Sequence, residues 1–220
     1  MDADRISVLL EPFLATPVSA GTLAQISTYI DLLLRWNARV NLTAVRDPEH
    51  IVTRHFGESL FLARHALTSP VDSPKPRVID VGSGAGFPGL PLKIWSPNVD
   101  LTLIESNHKK SAFLRELARE LGLTGVNVIT DRAESLVARP GFTSANLVTL
   151  RAVERFDNVI PTAANLVEPR GCLALLIGAS QTPSLTSLAP AIAWNPPTPI
   201  PQSSSRILAL GIREVKSGTS

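Results

Sequence analysis

The sequence predicts an α/β fold, a mostly parallel sheet with helices on both faces, entered through an N-terminal helical extension. Three observations predict it. An apolar run, Val78-Ile79-Asp80-Val81, leads directly into glycines at 82, 84, 86 and 89. Further short apolar runs at 101–105, 126–130, 145–151 and 171–177 alternate with longer stretches of helical character, the rhythm of β-α-β units. Residues 1–70 instead place apolar side chains at helical spacing, in 23–36 and again in 51–67.

The extension carries an unusual string between its two helices. Arg35, Trp36, Asn37, Arg39, Asn41 and Arg46 surround a predicted turn at Asp47-Pro48. Beyond the turn, helical spacing puts Arg54 with Glu58, and His55 with Ser59, on shared faces. That spacing predicts an ion pair between Arg54 and Glu58. Trp36 is expected to anchor the extension on the core.

The first strand ends at Asp80 and Val81. Glycines at 82, 84 and 86 then let the backbone turn tightly and approach a ligand that a Cβ would push away, and the next helix offers free N-terminal amides. Counting from Gly84 gives the dinucleotide spacing G-x-G-x-x-G, but counting from Gly82, the first residue after the strand, puts Phe87 where the third glycine belongs. Asp80 at the strand tip would also repel a pyrophosphate. Two apolar residues, Asp, one apolar residue and Gly-x-Gly-x-Gly resembles instead the cofactor motif of S-adenosylmethionine-dependent methyltransferases with a Rossmann-like sheet. This implies a seven-stranded, mostly parallel sheet and S-adenosylmethionine, a cation without phosphates.

The second strand ends in Glu105, about twenty residues beyond the glycines, the spacing at which a carboxylate receives ribose hydroxyls. Lys109 and Lys110 open the helix after it. The third strand is followed by Asp131-Arg132-Ala133-Glu134, where this class commonly holds adenine. The fourth ends in Arg151. Because open parallel sheets bind ligands beyond the carboxyl ends of their strands, Asp80, Glu105, Glu134 and Arg151 are nominated for one crevice. The fifth strand contains Cys172, expected to be a small core residue. Residues 179–205, rich in Pro, Ser and Thr, are expected to form a loop around a weak helix. Within it, Asn195-Pro196-Pro197 mimics a motif for methylating exocyclic amines, but it lies far beyond strand four and is followed by Thr198.

With Trp36-Asn37, Asn41-Leu42-Thr43, Arg46-Asp47-Pro48, Arg54-His55, Phe87-Pro88-Gly89-Leu90-Pro91-Leu92, Lys109-Lys110, Phe113-Leu114, Arg132-Ala133-Glu134 and Arg151-Ala152 in register, the chain resembles the RsmG (GidB) family over residues 20–178. The resemblance implies an N7-guanosine methyltransferase acting on small-subunit ribosomal RNA or the assembled (30S) subunit. It places cofactor contacts on Gly82, Phe87, Ala133, Glu134 and Arg151, beside Asp80, Gly84, Gly86 and Glu105. Arg35, Arg39, Asn41, Arg46, Arg54, His55, Lys109 and Lys110 are the candidates for RNA. Guanine N7 already carries an in-plane lone pair, so no general base is expected, and Arg151 has a positioning role. Three positions depart from the family pattern: Glu58 replaces a usual Asp, Ile177 a usual Lys, and Ile207 a usual His. The last two are expected at the RNA-facing rim. Two other readings stay open: the same fold with a shifted RNA or protein substrate, and a non-catalytic, cofactor-binding assembly factor.

Composition agrees with one globular unit, an extension at 1–70 packed on a methyltransferase domain at 71–220. The 220 residues are 44% hydrophobic, enough for a sizeable core. A net charge of +2 and a pI near 9.0 permit an anionic partner where the positive charge clusters. A single cysteine excludes a disulfide framework. Residues 1–5 lack an export signal, and no apolar run is long enough to span a bilayer. A cytoplasmic monomer without metal is expected.

Overall fold

The computed structural model describes residues 1–67, 75–151 and 155–215. The expected boundary between residues 70 and 71 lies outside the described residues, as does Ala152. The chain opens with α1 (Ala3–Leu10) and α2 (Ala20–Asn37). Ser19 starts α2 by accepting the Thr22 N–H at 3.2 Å, the usual service of a serine N-cap. Its inward stripe is Leu23, Ile26, Tyr29, Ile30 and Leu33. The Asn37 side chain closes the helix by bonding the Leu42 and Thr43 amides and the Thr43 carbonyl, which shapes the loop at 38–43.

Asp47 then starts the next helical stretch, accepting the His50 N–H at 2.8 Å with Pro48 in the first turn. This stretch runs through α3 (Pro48–His50), a π-helical segment (Ile51–Gly57) and α4 (Glu58–Ala66). The π segment corrects the predicted Arg54–Glu58 pair. Wider i→i+5 turns remove the α-helical spacing on which that pairing depends, and Glu58 pairs instead with Arg151 and Arg206.

The strands are β1 (Arg77–Val81), β2 (Asp100–Ile104), β3 (Val126–Ile129), β4 (Ala145–Arg151), β5 (Val167–Gly178), β6 (Ile192–Trp194), β7 (Thr198–Pro199) and β8 (Arg206–Arg213). Seven of them lie in the order β3-β2-β1-β4-β5-β8-β6, and the two-residue β7 pairs β8 as an addition to the expected seven. β1 to β5 are parallel, and β8 runs antiparallel to β5. β6 and β7 are strand segments inside the region expected to be loop and weak helix. The fifth strand starts earlier than expected, and its pairing with β4 skips from Val167 to Cys172 around Arg170, whose φ is 66°.

Helices α5 (Gly89–Trp95), α6 (His108–Glu120), α7 (Ala133–Val137), α8 (Phe156–Leu166) and α9 (Leu185–Leu188) complete the chain. One apolar cluster on one face of the sheet joins Ile6, Leu33, Phe56 and Leu60 of the extension to Val78, Leu103, Phe113 and Leu208 of the core. Trp36 packs on Phe113 and donates its indole N–H to Glu116 at 3.1 Å. The second cluster, on the other side, contains Ile177 and Ile207, paired across β5 and β8 and only 5% and 8% exposed. Their expected place at an RNA-facing rim is thereby corrected: an apolar cross-strand pair here completes a core.

Candidate functional site

Strand register brings the site together. Val81 pairs with both Ile104 and Leu150, and Ile104 with Ile129, so the next residues, Gly82, Glu105, Thr130 and Arg151, stand at one level beyond the carboxyl ends. β1 is where the strand order reverses, the position at which open α/β sheets form a crevice. A cavity of about 680 Å³ opens there. Its wall includes Gly82, Gly84, Phe87, Glu105, Ala133, Glu134 and Arg151, together with Thr43, Arg54 and His55 of the extension and Lys110 of α6.

The glycines divide their work. Gly82, Gly84 and Gly86 all have positive φ, at 68°, 56° and 94°. A Cβ on Gly84 would meet nothing nearer than the Gly82 carbonyl at 3.8 Å, so it would stand in the cavity. A Cβ on Gly86 would lie 2.4 Å from the Tyr29 hydroxyl and 2.7 Å from Leu90. Gly86 is therefore a packing position between the turn and the extension, which corrects its expected place against the ligand. Phe87 is 6% exposed, stacked at 5.1 Å on Tyr29 and set edge-on to Phe56.

Asp80, expected to face the cofactor, is fully buried and does not line the cavity. Alternation along the strand turns its carboxylate under the loop. There it accepts the Thr149 hydroxyl at 2.8 Å and the Gly89 N–H at 3.4 Å. The first amide of α5 is thus engaged by Asp80 rather than offered to a ligand. Burial pushes the Asp80 carboxyl up to about 7, against the opposing pull of those hydrogen bonds. Thr149 carries no sequence signal of its own beyond strand alternation.

Glu105 is oriented by the backbone around it. Its Oε2 accepts the Gly84 N–H at 2.9 Å and its Oε1 the Asn107 N–H at 2.7 Å. Each carboxylate oxygen retains a second lone pair, so the group is fixed and still able to receive hydroxyls. Asn107, absent from the residues that the sequence pattern nominates, caps α6 by accepting the Lys109 and Lys110 amides. An Asn after a strand and before a lysine-rich helix is a legible N-cap signal.

The RNA candidates separate. Arg35, Arg39, Asn41, Arg46, Arg54 and Lys109 are exposed, and Lys110 is half-buried at the cavity. His55 does not stand with these exposed groups. It is 7% exposed, packed at 4.8 Å on Phe87, with Nε2 2.8 Å from the Thr43 hydroxyl. Burial, reinforced by Arg151, Arg54 and Arg206, lowers it to about 2, so the imidazole is neutral. Arg132 and Arg155 add two exposed cations to the cavity wall. Arg151 itself donates to the Arg54 carbonyl at 2.9 Å and lies 3.2 Å from Glu58. Among the described residues, no three His, Cys, Asp or Glu side chains converge as a metal site, and no helix is long and apolar enough to cross a membrane.

Solved structures share this architecture. Magnesium protoporphyrin IX methyltransferase from Synechocystis PCC 6803, crystallised with bound S-adenosylmethionine, superposes with a TM-score of 0.62 at 14% identity, over 91% of this chain and 100% of that one. The ribosomal protein L11 methylase of Lactobacillus delbrueckii gives 0.56 at 14%, over 72% and 80%. Both likenesses concern the fold. Among sequences, the Ribosomal RNA small subunit methyltransferase G of Xylella fastidiosa strain 9a5c is 40% identical over 74% of this chain and 72% of its own length. The protein of that name from Xanthomonas axonopodis pv. citri is 37% identical over 80% and 79%. The family model for rRNA small subunit methyltransferase G matches residues 22–195. Glycine turn, strand-tip carboxylate and the extension from residue 22 onward fall inside that match, and the chain belongs to the rRNA small subunit methyltransferase G family.

Proposed function

We propose that this protein transfers a methyl group from S-adenosylmethionine to N7 of a specific guanine in small-subunit ribosomal RNA, as a cytoplasmic monomer. One observation carries the cofactor assignment: the Gly84 Cβ position is open space in a cavity whose fixed carboxylate, Glu105, keeps free lone pairs. Family membership carries the choice of RNA.

Gly82, Gly84, Glu105, Ala133 and Glu134 would hold the cofactor, with Glu105 receiving the ribose hydroxyls. When bound, S-adenosylmethionine supplies an electrophilic methyl. The chain's own residues then have a geometric task, because N7 presents its lone pair without losing a proton. Nothing in the wall has to act as a base, in keeping with a His55 held neutral and a Glu105 tied to two amides. Arg151, braced at the tip of β4, orients the reacting groups. Arg35, Arg39, Asn41, Arg46, Arg54 and Lys109, all exposed, and the half-buried Lys110 supply polar groups suited to the phosphates that dominate RNA affinity.

Radiolabelled S-adenosylmethionine with purified small subunits tests this. Label mapping to a guanine N7 in unmodified subunits, and absent from modified and large subunits, is the expected result. Label in another RNA or a protein points to a shifted substrate. Cofactor binding without transfer points to an assembly factor.

A further inference from the structure

Behind Arg151 of the cavity wall lies a buried charge cluster. The Glu58 carboxylate is 1% exposed, with Oε2 3.2 Å from an Arg151 guanidinium nitrogen and Oε1 2.7 Å from Arg206 Nε. A second Arg206 nitrogen contacts the same Oε1. The Arg151 nitrogen that faces Glu58 also donates to the Arg54 carbonyl at 2.9 Å. One guanidinium corner is thus held by one acceptor, the Arg54 carbonyl, and by the charge of Glu58, whose Oε2 pairs with it without accepting a hydrogen bond; both come from a single helical stretch, which Arg206 ties to the last long strand. The Arg151 Nε and its other terminal nitrogen make no hydrogen bond among the described residues.

Stability is a poor reason for such a cluster. Taking an ion pair out of water costs about as much as its attraction returns, and well-packed apolar replacements often do as well or better. Orientation is the better reason. Burial lowers Arg151 to about 10 despite the opposing pull of Glu58, and the charges of Arg54 and Arg206 add their repulsion. Without a carboxylate on its inner side, that side chain would turn toward the cavity and solvent.

We propose that Glu58 is a positioning residue: with Arg206 as its second anchor, it fixes the Arg151 guanidinium at the cavity wall in the orientation that methyl transfer requires. The inference rests on the function proposed above. Arg206 acts at one remove, by keeping the carboxylate from rotating.

Two variants test it with full-length protein. Glu58→Gln keeps the side-chain volume and removes the charge. Arg206→Gln loosens the anchor at its more exposed end, where folding is less at risk. Turnover on unmodified small subunits and S-adenosylhomocysteine binding are measured for each, well below the unfolding temperature. Glu58→Gln is expected to lower kcat about tenfold and Arg206→Gln about threefold, with KM and cofactor Kd within about twofold. The double variant should be no worse than Glu58→Gln, since both act through one carboxylate. A kcat equal to wild type in folded Glu58→Gln, or in Arg206→Gln should the first not fold, overturns the inference. So does a loss confined to KM. If wild-type protein transfers no methyl to small subunits, the proposed function falls and this inference with it; if wild type transfers and either overturning result is seen, the inference alone falls.

Discussion

The Tyr29 hydroxyl donates to the Ala85 carbonyl at 2.6 Å, so the second helix of the extension holds the middle of the glycine turn. Tyr29 is the only tyrosine in the chain and is completely buried. Its ring stacks on Phe87 and meets Phe56 edge-on. The extension therefore forms part of the wall that shapes the candidate cofactor site.

Tyr29→Phe keeps that aromatic packing and leaves the Ala85 carbonyl without its donor. An unsatisfied buried acceptor costs about 1–3 kcal/mol. Urea unfolding should show a loss in that range, and S-adenosylmethionine titration should show weaker binding because the turn is less constrained. Unchanged values in both would mean that the bond does not hold the turn.

Gly84 and Gly86 should respond in opposite ways to one methyl group. At Gly84, alanine meets left-handed strain of about 1–2 kcal/mol, but its Cβ enters open cavity. Binding is expected to fall more than stability does, and Gly84→Val should abolish it. At Gly86 the Cβ collides with Tyr29 and Leu90. Overpacking and strain together cost about 3 kcal/mol or more, so thermal unfolding is the sensitive measurement. Similar binding losses at equal stability would remove the distinction drawn between the two glycines.

Two buried groups set opposing pH dependences. Burial raises Asp80 to about 7, so the folded state holds a proton there that the unfolded state releases near 3.8, and stability falls as pH rises through that window. Burial, with three arginines, lowers His55 to about 2, so the unfolded state takes the extra proton below 6.5, and stability falls as pH drops. Each slope approaches about 1.4 kcal/mol per pH unit, and over their shared window the two contributions largely cancel. Asp80→Asn should expose the His55 limb, with stability dropping below 6.5; His55→Gln should expose the Asp80 limb, with stability dropping toward 7. Denaturant midpoints across pH decide it. Parallel profiles for the two variants would contradict the assignment.

What was legible in the sequence followed local pattern. Glycines after an apolar strand, a carboxylate at the next strand end and the Asp47-Pro48 helix start all involve neighbouring residues. Asp80 misled because a strand tip can turn its side chain toward ligand or under the loop, and that choice rests on Thr149, supplied by another strand. The partners of Glu58 were hidden more deeply: Arg206 lies 148 positions away, and the π segment removes the helical spacing that suggested Arg54. Ile177 and Ile207 were placed by what relatives carry there. Their apolar character, facing each other across β5 and β8, was the better guide.

The exposed arginines of the extension should act on phosphate rather than on chemistry. Arg35, Arg39 and Arg46 stand outside the cavity wall, so they are suited to the RNA backbone around the target nucleotide. Removing one arginine–phosphate pair should reduce the salt slope of small-subunit binding by about 0.7–1. Alanine at any one should therefore raise KM most at low salt, and the triple variant should flatten the dependence by about 2–3 if all three engage. Trp36→Ala provides the contrast. It removes the bond to Glu116 and the packing on Phe113, and its cost should appear in unfolding with the salt slope preserved. A triple variant that keeps the wild-type slope would move the RNA path off the extension, toward Lys109, Lys110, Arg132 and Arg155 of the core.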